Sequence, residues 1–240
     1  GKKMAQAQKC RLVFMGTPDF AAVILKALAQ WPRGEIVAVY TQPDRPAGRG
    51  HKLTPSPVKR LAQELDLPVL QPQSLKNAEA QAELSALQAD VLVVAAYGLI
   101  LPDAVLAAPR LAPINVHASL LPRYRGAAPI QRAIMENWGP DAQSGVAIMR
   151  VASRLDAGPV YADAALPIGE HTAGSLHDAL AHLGAELLVR VLNDLLDGRA
   201  VAREQDESRA DYAAKISKED GYIDWERPAA EVHARIRGVT

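Results

Sequence analysis

Apolar residues fall along this chain in two alternating rhythms. Arg11-Leu12-Val13-Phe14-Met15-Gly16 is a short apolar run closed by glycine; Pro18 follows, and then a stretch from Phe20 to Ala29 with helical spacing. That is a strand, a turn and a helix. Ile36-Val37-Ala38-Val39-Tyr40 repeats the strand signal, Pro57 to Leu65 and Ala78 to Leu87 read as helices, and Val91-Leu92-Val93-Val94-Ala95 has the unbroken apolar character of a strand buried on both faces. Strands alternating with helices imply a parallel, doubly wound sheet.

The second half opens with Ile114-Asn115-Val116-His117, then a helix over Ala128 to Asn137 and two strands around Val146 to Val151 and Val160 to Ile168. The link between these last two is too short for a helical crossover, so they are expected to be antiparallel. Leu176, Leu180, Leu183, Leu187, Leu188, Val191, Leu192 and Leu195 place one long helix between Ser175 and Leu196. Beyond Gly198 the chain is polar and weakly patterned, as a linker is. The expected fold class is therefore α/β: a Rossmann-like, doubly wound, mostly parallel sheet with antiparallel strands near the C-terminal side.

Composition narrows this picture. The 240 residues suit one main domain, and no apolar run approaches the roughly 20 residues of a membrane-spanning helix. The first residues lack a signal peptide's apolar stretch, and Gly1 before Met4 reads as a tag scar, so residues 1–10 are set aside as tag or disordered N-terminus. Cys10 is the single cysteine, which forbids an intrachain disulfide and fits a reducing cytosol. The six histidines show no ligand spacing, so no metal is expected; His171 and His177 flank a helix start, and His182 and His233 belong on surfaces. The 27 basic residues balance the 27 acidic ones, which argues against indiscriminate coating of nucleic acid but leaves room for local patches.

Three segments carry candidate chemistry. In an extended strand Asn115 and His117 face the same way, aiming two polar groups at one place, although alone they could merely satisfy loop backbone. Ser119-Leu120-Leu121-Pro122-Arg123-Tyr124-Arg125-Gly126 then puts two arginines, an aromatic and a glycine between that strand and a helix, which suits an anionic or extended substrate. Leu155-Asp156-Ala157-Gly158 places an acid in a glycine-containing turn, where it could also cap its own backbone. Separately, Arg45, Arg49, Lys52, Lys59 and Arg60, with His51, form a cationic run containing no acid; by itself such a run is more often a solvated face.

These segments resemble the formyltetrahydrofolate-dependent formyltransferases. Asn115-Val116-His117-Ala118-Ser119-Leu120-Leu121-Pro122 matches the family signature, and Arg123 to Gln131 matches its tRNA-directed branch. Phe14 to Phe20, Thr41 to Gly50 and Lys215 to Trp225 agree as well. The resemblance runs from about Arg11 to the end, and several ordered motifs are far harder to meet by chance than one. It implies a cytoplasmic enzyme, expected to be a monomer with no membrane partner, that moves the formyl group of 10-formyltetrahydrofolate to the α-amino group of methionine carried by initiator tRNA. Asn115, His117 and Asp156 would be catalytic. The folate would lie against Tyr97, Gly98, Leu99, Ile100, Leu101 and Pro102, against Ser119, Leu120, Leu121 and Pro122, and against Val151, Ala152, Ser153, Arg154 and Leu155. Arg45, Arg49, Lys52, Arg123 and Arg125 would contact tRNA. Residues 11–204 would form the catalytic domain and 205–240 a linker with the truncated start of a C-terminal domain, whose β-barrel is absent.

The chain departs from the family in places. Ala157 stands where Thr usually follows the catalytic Asp, Tyr124 where Trp is frequent, and the sequence stops at Thr240. A formyltransferase acting on a sugar amine or ribonucleotide amine would keep Asn115, His117 and Asp156 without needing the cationic loop. A dinucleotide-dependent oxidoreductase is disfavoured because Gly16-Thr17-Pro18-Asp19-Phe20 is not G-x-G-x-x-G. A non-catalytic RNA-binding module would leave the Asn, His and Asp trio without a purpose.

Overall fold

Four apolar residues in a row, Leu12 to Met15, have no solvent exposure and form the middle of the first strand. The computed structural model describes residues 8–240 apart from His51, Asp224, Trp225 and Pro228, so most of the tag segment, His51 and the Asp224-Trp225 end of the last matching motif lie outside the described residues. The chain divides into two compact units, Gly1–Pro113 and Ile114–Thr240.

In the first unit the elements run β1 (Cys10–Gly16), α1 (Asp19–Ala29), β2 (Gly34–Tyr40), β3 (Arg45–Ala47), β4 (Lys52–Thr54), α2 (Pro57–Glu64), β5 (Val69–Leu70), α3 (Ala78–Ala86), β6 (Val91–Ala95) and α4 (Asp103–Leu106). β1 pairs in parallel with both β2 and β6, and β2 with β5. All five residues of β6 are buried, as its unbroken apolar run requires in a parallel sheet covered on both sides. α1 buries Phe20, Ala21, Ile24, Leu25 and Leu28, one helical stripe. Glycine is needed where β1 turns into α1: a Cβ on Gly16 would meet the Ala95 carbonyl oxygen at 2.7 Å and Ala21 Cβ at 2.6 Å. Ser56 caps α2 by accepting from the Lys59 N–H, and Asn77 caps α3 by accepting from the Ala80 N–H. The first part of the cationic run forms a small hairpin, β3 paired antiparallel with β4, whose tip carries Gly48 and Gly50 at positive φ.

The second unit contains β7 (Ala112–His117, entering from the end of the first unit), β8 (Arg125–Gly126), α5 (Pro129–Glu136), β9 (Gln143–Arg150), β10 (Val160–Pro167), α6 (Ala173–Leu196), β11 (Tyr212–Ala213) and α7 (Ala229–Val239). β7 pairs antiparallel with β9, and β9 antiparallel with β10, the arrangement expected from their short link. α6 opens on a capping box between Thr172 and Ser175 and buries Leu176, Leu180, Leu187, Leu188, Val191 and Leu192. At Gly184 a Cβ would stand 3.1 Å from Val116 Cγ1, so the helix lies close on the strand that carries Asn115 and His117.

The polar stretch after Gly198, read from sequence as a linker, carries structure of its own. Arg203 forms a bridge with Val160, β11 adds in parallel to β8, and α7 packs on α5. Its lack of periodicity reflects short pieces held by side-chain hydrogen bonds, which leave no hydrophobic rhythm to read. Cys10 is buried in β1, and burial pushes its thiol up to about 11, so it behaves as a small core residue.

Candidate active site

β7 presents Asn115 and His117 from one side of the strand, and both are positions where β7 pairs with β9 (Asn115 with Met149, His117 with Ala147). His117 is buried and Asn115 half-buried. The His117 Nε2 lies 2.7 Å from the carbonyl oxygen of Tyr124. A carbonyl can only accept, so Nε2 carries a proton and Nδ1 is the edge left for chemistry. That edge faces Asp156, whose Oδ1 is 3.7 Å from Nδ1. Both side chains are about 8% exposed, which removes most of the water that would screen them from each other. Among the described residues the Asn115 amide makes no hydrogen bond through its side chain, leaving its N–H groups open to a ligand.

Asp156 sits at φ +51, a left-handed conformation that costs an L-residue energy unless its surroundings hold it. Two sets of hydrogen bonds do so. The Gly126 N–H donates to Asp156 Oδ2 at 2.8 Å, which fixes one carboxylate oxygen and leaves Oδ1 toward His117. The Gln205 amide donates to the carbonyls of Asp156 and Gly158 at 2.8 and 2.7 Å, gripping the turn from outside. The turn also demands Gly158, where a Cβ would meet the Arg150 carbonyl oxygen at 1.8 Å. Val151, half-buried, and Ala152, Ser153, Arg154 and Leu155, all exposed, lead into it.

The loop that delivers Tyr124 to His117 is tied just as closely. Ser119 Oγ donates to the Arg123 carbonyl at 2.6 Å, Leu121-Pro122 is a cis peptide, and Tyr124 sits at φ +53. Asp211 accepts from the Tyr124 N–H through one carboxylate oxygen and from Arg123 Nε at 2.8 Å through the other. Ser119 and Leu121 are buried, Leu120 and Pro122 half-buried.

In the first unit, Tyr97 to Pro102 forms a turn and the entry to α4. Gly98 has φ +84, and a Cβ there would meet Gln42 Nε2 at 2.0 Å. The Tyr97 carbonyl accepts from Gln42 Nε2 at 2.8 Å and from Thr17 Oγ1 at 3.0 Å. Leu99 and Leu101 are half-buried, Ile100 is exposed, and Pro102 precedes the first turn of α4 as its N-cap. Thr17 and Gln42 were not singled out from sequence, though both lie within segments that match the family, and here they shape the Gly98 turn.

A family model described as formyl transferase matches residues 10–192. The chain belongs to the formyl transferase family. A second model, formyl transferase C-terminal domain, matches residues 215–240. Over 237 residues the chain is 72% identical to a methionyl-tRNA formyltransferase of Desulfovibrio desulfuricans, covering 99% of this chain and 70% of that protein. A methionyl-tRNA formyltransferase of Pseudomonas fluorescens is 58% identical over 95% of this chain and 70% of its own length. Among solved structures, a 4-N formyltransferase from Francisella tularensis superposes with TM-score 0.73 at 15% identity, covering 96% of this chain and 88% of that one. An N-formyltransferase from Helicobacter canadensis, solved with folinic acid and dTDP-3-aminofucose, gives 0.70 at 18%, covering 95% and 80%. At such identities the two structures speak to the fold, which is of the α/β class expected from the strand pattern.

Of the cations expected to meet tRNA in this formyl transferase, Arg45, Arg49 and Lys52 are exposed on the β3–β4 hairpin, with Arg45 donating to the Gln42 amide oxygen. Lys59 is already engaged, holding both carboxylate oxygens of Asp44 at 3.0 Å. Arg123 is partly exposed and lies over the Tyr124 ring, 5.1 Å from its centroid. Arg125 corrects the expectation: its side chain has no exposure, donating to Glu207 at 2.8 and 3.1 Å and to Gln205 at 2.8 and 3.2 Å. A guanidinium enclosed by four such bonds cannot reach a phosphate outside. It braces the loop. Thr172 caps α6, with His171 Nδ1 2.8 Å from Ser175 Oγ; His182 is exposed and His233 lies 3.6 Å from Glu170, both surface positions as expected. Among the described residues no cluster of three His, Cys, Asp or Glu could hold a metal ion, and no helix is long and apolar enough to cross a membrane.

Proposed function

We propose that this formyl transferase moves the formyl group of 10-formyltetrahydrofolate to the α-amino group of initiator methionyl-tRNA. The observation that carries the reading is the buried His117–Asp156 pair beside an unengaged Asn115 amide, in a chain 72% identical to a methionyl-tRNA formyltransferase. The neutral amine attacks the formyl carbon, a C–N bond forms, and the carbonyl electrons move onto the formyl oxygen. Asn115 donates to that oxygen; one well-placed donor of this kind is worth about 2.7–4 kcal/mol of barrier. When the carbonyl re-forms, the bond from the formyl carbon to N10 breaks. The incoming amine gives up one proton and N10 of the leaving folate takes up one.

Asp156 Oδ1 and His117 Nδ1 are the groups with room to handle those protons, because Oδ2 and Nε2 are already committed to Gly126 and Tyr124. The negative charge developed in the reaction sits on the formyl oxygen, where the Asn115 amide donates to it. In the second unit the folate would rest against the Ser119–Pro122 loop and the Val151–Leu155 approach to Asp156. Arg45, Arg49, Lys52 and Arg123 would contact the tRNA backbone. The enzyme would act as a monomer in the cytoplasm.

Single-turnover formylation tests the reading, with initiator methionyl-tRNA and a nucleotide-linked amino sugar as competing acceptors and 10-formyltetrahydrofolate as donor. Formylated tRNA that disappears in His117→Ala supports it. Formylation of the sugar alone would move the acceptor to the sugar-amine class, and no transfer to either would overturn the reading.

A further inference from the structure

We propose that Gln205, in the polar stretch after α6, is a positioning residue for the catalytic carboxylate of Asp156; the proposal rests on the function inferred above. Both ends of this one amide are in use. Its Oε1 accepts from Arg125 Nε at 3.2 Å and Nη2 at 2.8 Å, and its Nε2 donates to the carbonyls of Asp156 at 2.8 Å and Gly158 at 2.7 Å. Gln205 therefore couples two separate segments that both bear on the Asp156 carboxyl. On one side is the 156–158 turn, whose left-handed Asp156 needs external support. On the other is Arg125, whose next residue, Gly126, donates the hydrogen bond that fixes Asp156 Oδ2.

The consequence is geometric. Oδ1 stands 3.7 Å from His117 Nδ1 because Oδ2 is held by Gly126 and the peptide of Asp156 is held by Gln205. Release the amide and both supports loosen together: the turn gives up the donor to its two carbonyls, and the buried guanidinium that steadies Gly126 gives up its hydrogen bonds to Oε1. A displacement of about 1 Å at a reacting group can cost roughly a hundredfold in rate.

Two variants separate the halves of the link. Gln205→Glu keeps an acceptor for Arg125 but has no N–H to offer the Asp156 and Gly158 carbonyls when ionised. Gln205→Leu removes both. The measurement is steady-state formylation of methionyl-tRNA by the full chain, with KM for the folate and for tRNA separated from kcat, and thermal unfolding run alongside. The expected result is a fall in kcat of about ten- to a hundredfold in both variants, with each KM changed less than about threefold. In Gln205→Glu the fall in kcat, with each KM held, should persist at temperatures where the unfolding curve shows the variant still folded, a split that a merely structural role would not give. Parent-like kcat in either folded variant, or a defect confined to KM, overturns the positioning role. A parent chain that does not formylate methionyl-tRNA overturns the functional reading itself, which separates that failure from this one.

Discussion

Glu207 binds both terminal nitrogens of Arg125, at 3.1 and 2.8 Å, although the arginine is wholly buried and the glutamate half-exposed. An arginine in a basic, aromatic loop reads as a phosphate ligand until its environment is known, and here the environment makes it an internal brace. Arg125→Met should therefore destabilise the protein by about 1–3 kcal/mol, since Gln205 Oε1 is left without its donors. Chemical denaturation measures this. The same variant should leave unchanged the slope of tRNA affinity against salt, because the enclosed guanidinium neutralises no phosphate; a shallower slope would return Arg125 to the interface.

The hairpin cations should behave in the opposite way. Arg49→Ala and Lys52→Ala remove exposed charges with no part in the core, so unfolding should be unaffected. Affinity for methionyl-tRNA should drop, with the salt slope shallower by roughly 0.7–0.9 for each phosphate no longer neutralised. KM for the folate should hold steady. Equal effects on folate and tRNA would argue that the hairpin does not meet nucleic acid.

Asn115 offers a cleaner separation of stability from catalysis. Its side chain makes no hydrogen bond among the described residues, so Asn115→Ala should alter unfolding by no more than about 0.5 kcal/mol. Removing a donor at the formyl oxygen should nonetheless reduce kcat by about 10²–10³-fold. Single-turnover rates under saturating substrate distinguish this from a binding defect.

Gly158→Ala tests the turn beneath Asp156. With the Arg150 carbonyl oxygen 1.8 Å from where the methyl would sit, backbone must move, at a cost of about 2–4 kcal/mol. The movement occurs two residues from the carboxylate. Formylation should fall even at temperatures where the variant remains folded, as shown by circular dichroism on the same sample.

Asp220 sets an acid limit on the C-terminal segment. Its carboxylate accepts from the Ser217 N–H at 2.8 Å and is paired with Arg132 at 2.9 Å through each oxygen, which together hold it down at about 2, below the usual carboxylate value. A lowered folded-state value means the contribution is complete above about pH 4, where the unfolded carboxylate is also ionised, and is lost as pH falls toward 2. Asp220→Asn should melt below the parent at neutral pH, with the gap closing between about pH 4 and 2. A gap that stays constant over that range would show that the carboxylate's charge is irrelevant.

Much of the fold is legible in the primary sequence because each signal is local. The β6 run Val91 to Ala95 has no polar interruption, and α1 has its stripe, so each announces a strand or helix before any partner is known. Asn115 and His117 are similarly legible, since alternation along a strand aims both at one side and the surrounding motif is long. Asp156 is legible as a residue but not as a conformation. Nothing in Leu155-Asp156-Ala157-Gly158 says that Asp156 is left-handed or that Gly158 is pressed against Arg150.

What holds the site together emerges only on folding. Gln205 and Asp211 lie 49 and 87 residues from the groups they bind, in a stretch without periodicity, and their hydrogen bonds depend on distances that no local pattern encodes. The reversal at Arg125 has the same cause: charge and chain position can be read from the primary sequence, but burial and partners arise only when Gln205 and Glu207 fold back over the loop. Residue type and strand alternation were enough to name the groups able to carry the chemistry. The free edge of His117, the oxygen of Asp156 that faces it and the enclosure of Arg125 belong to the folded chain, because each depends on segments far apart in sequence meeting in space.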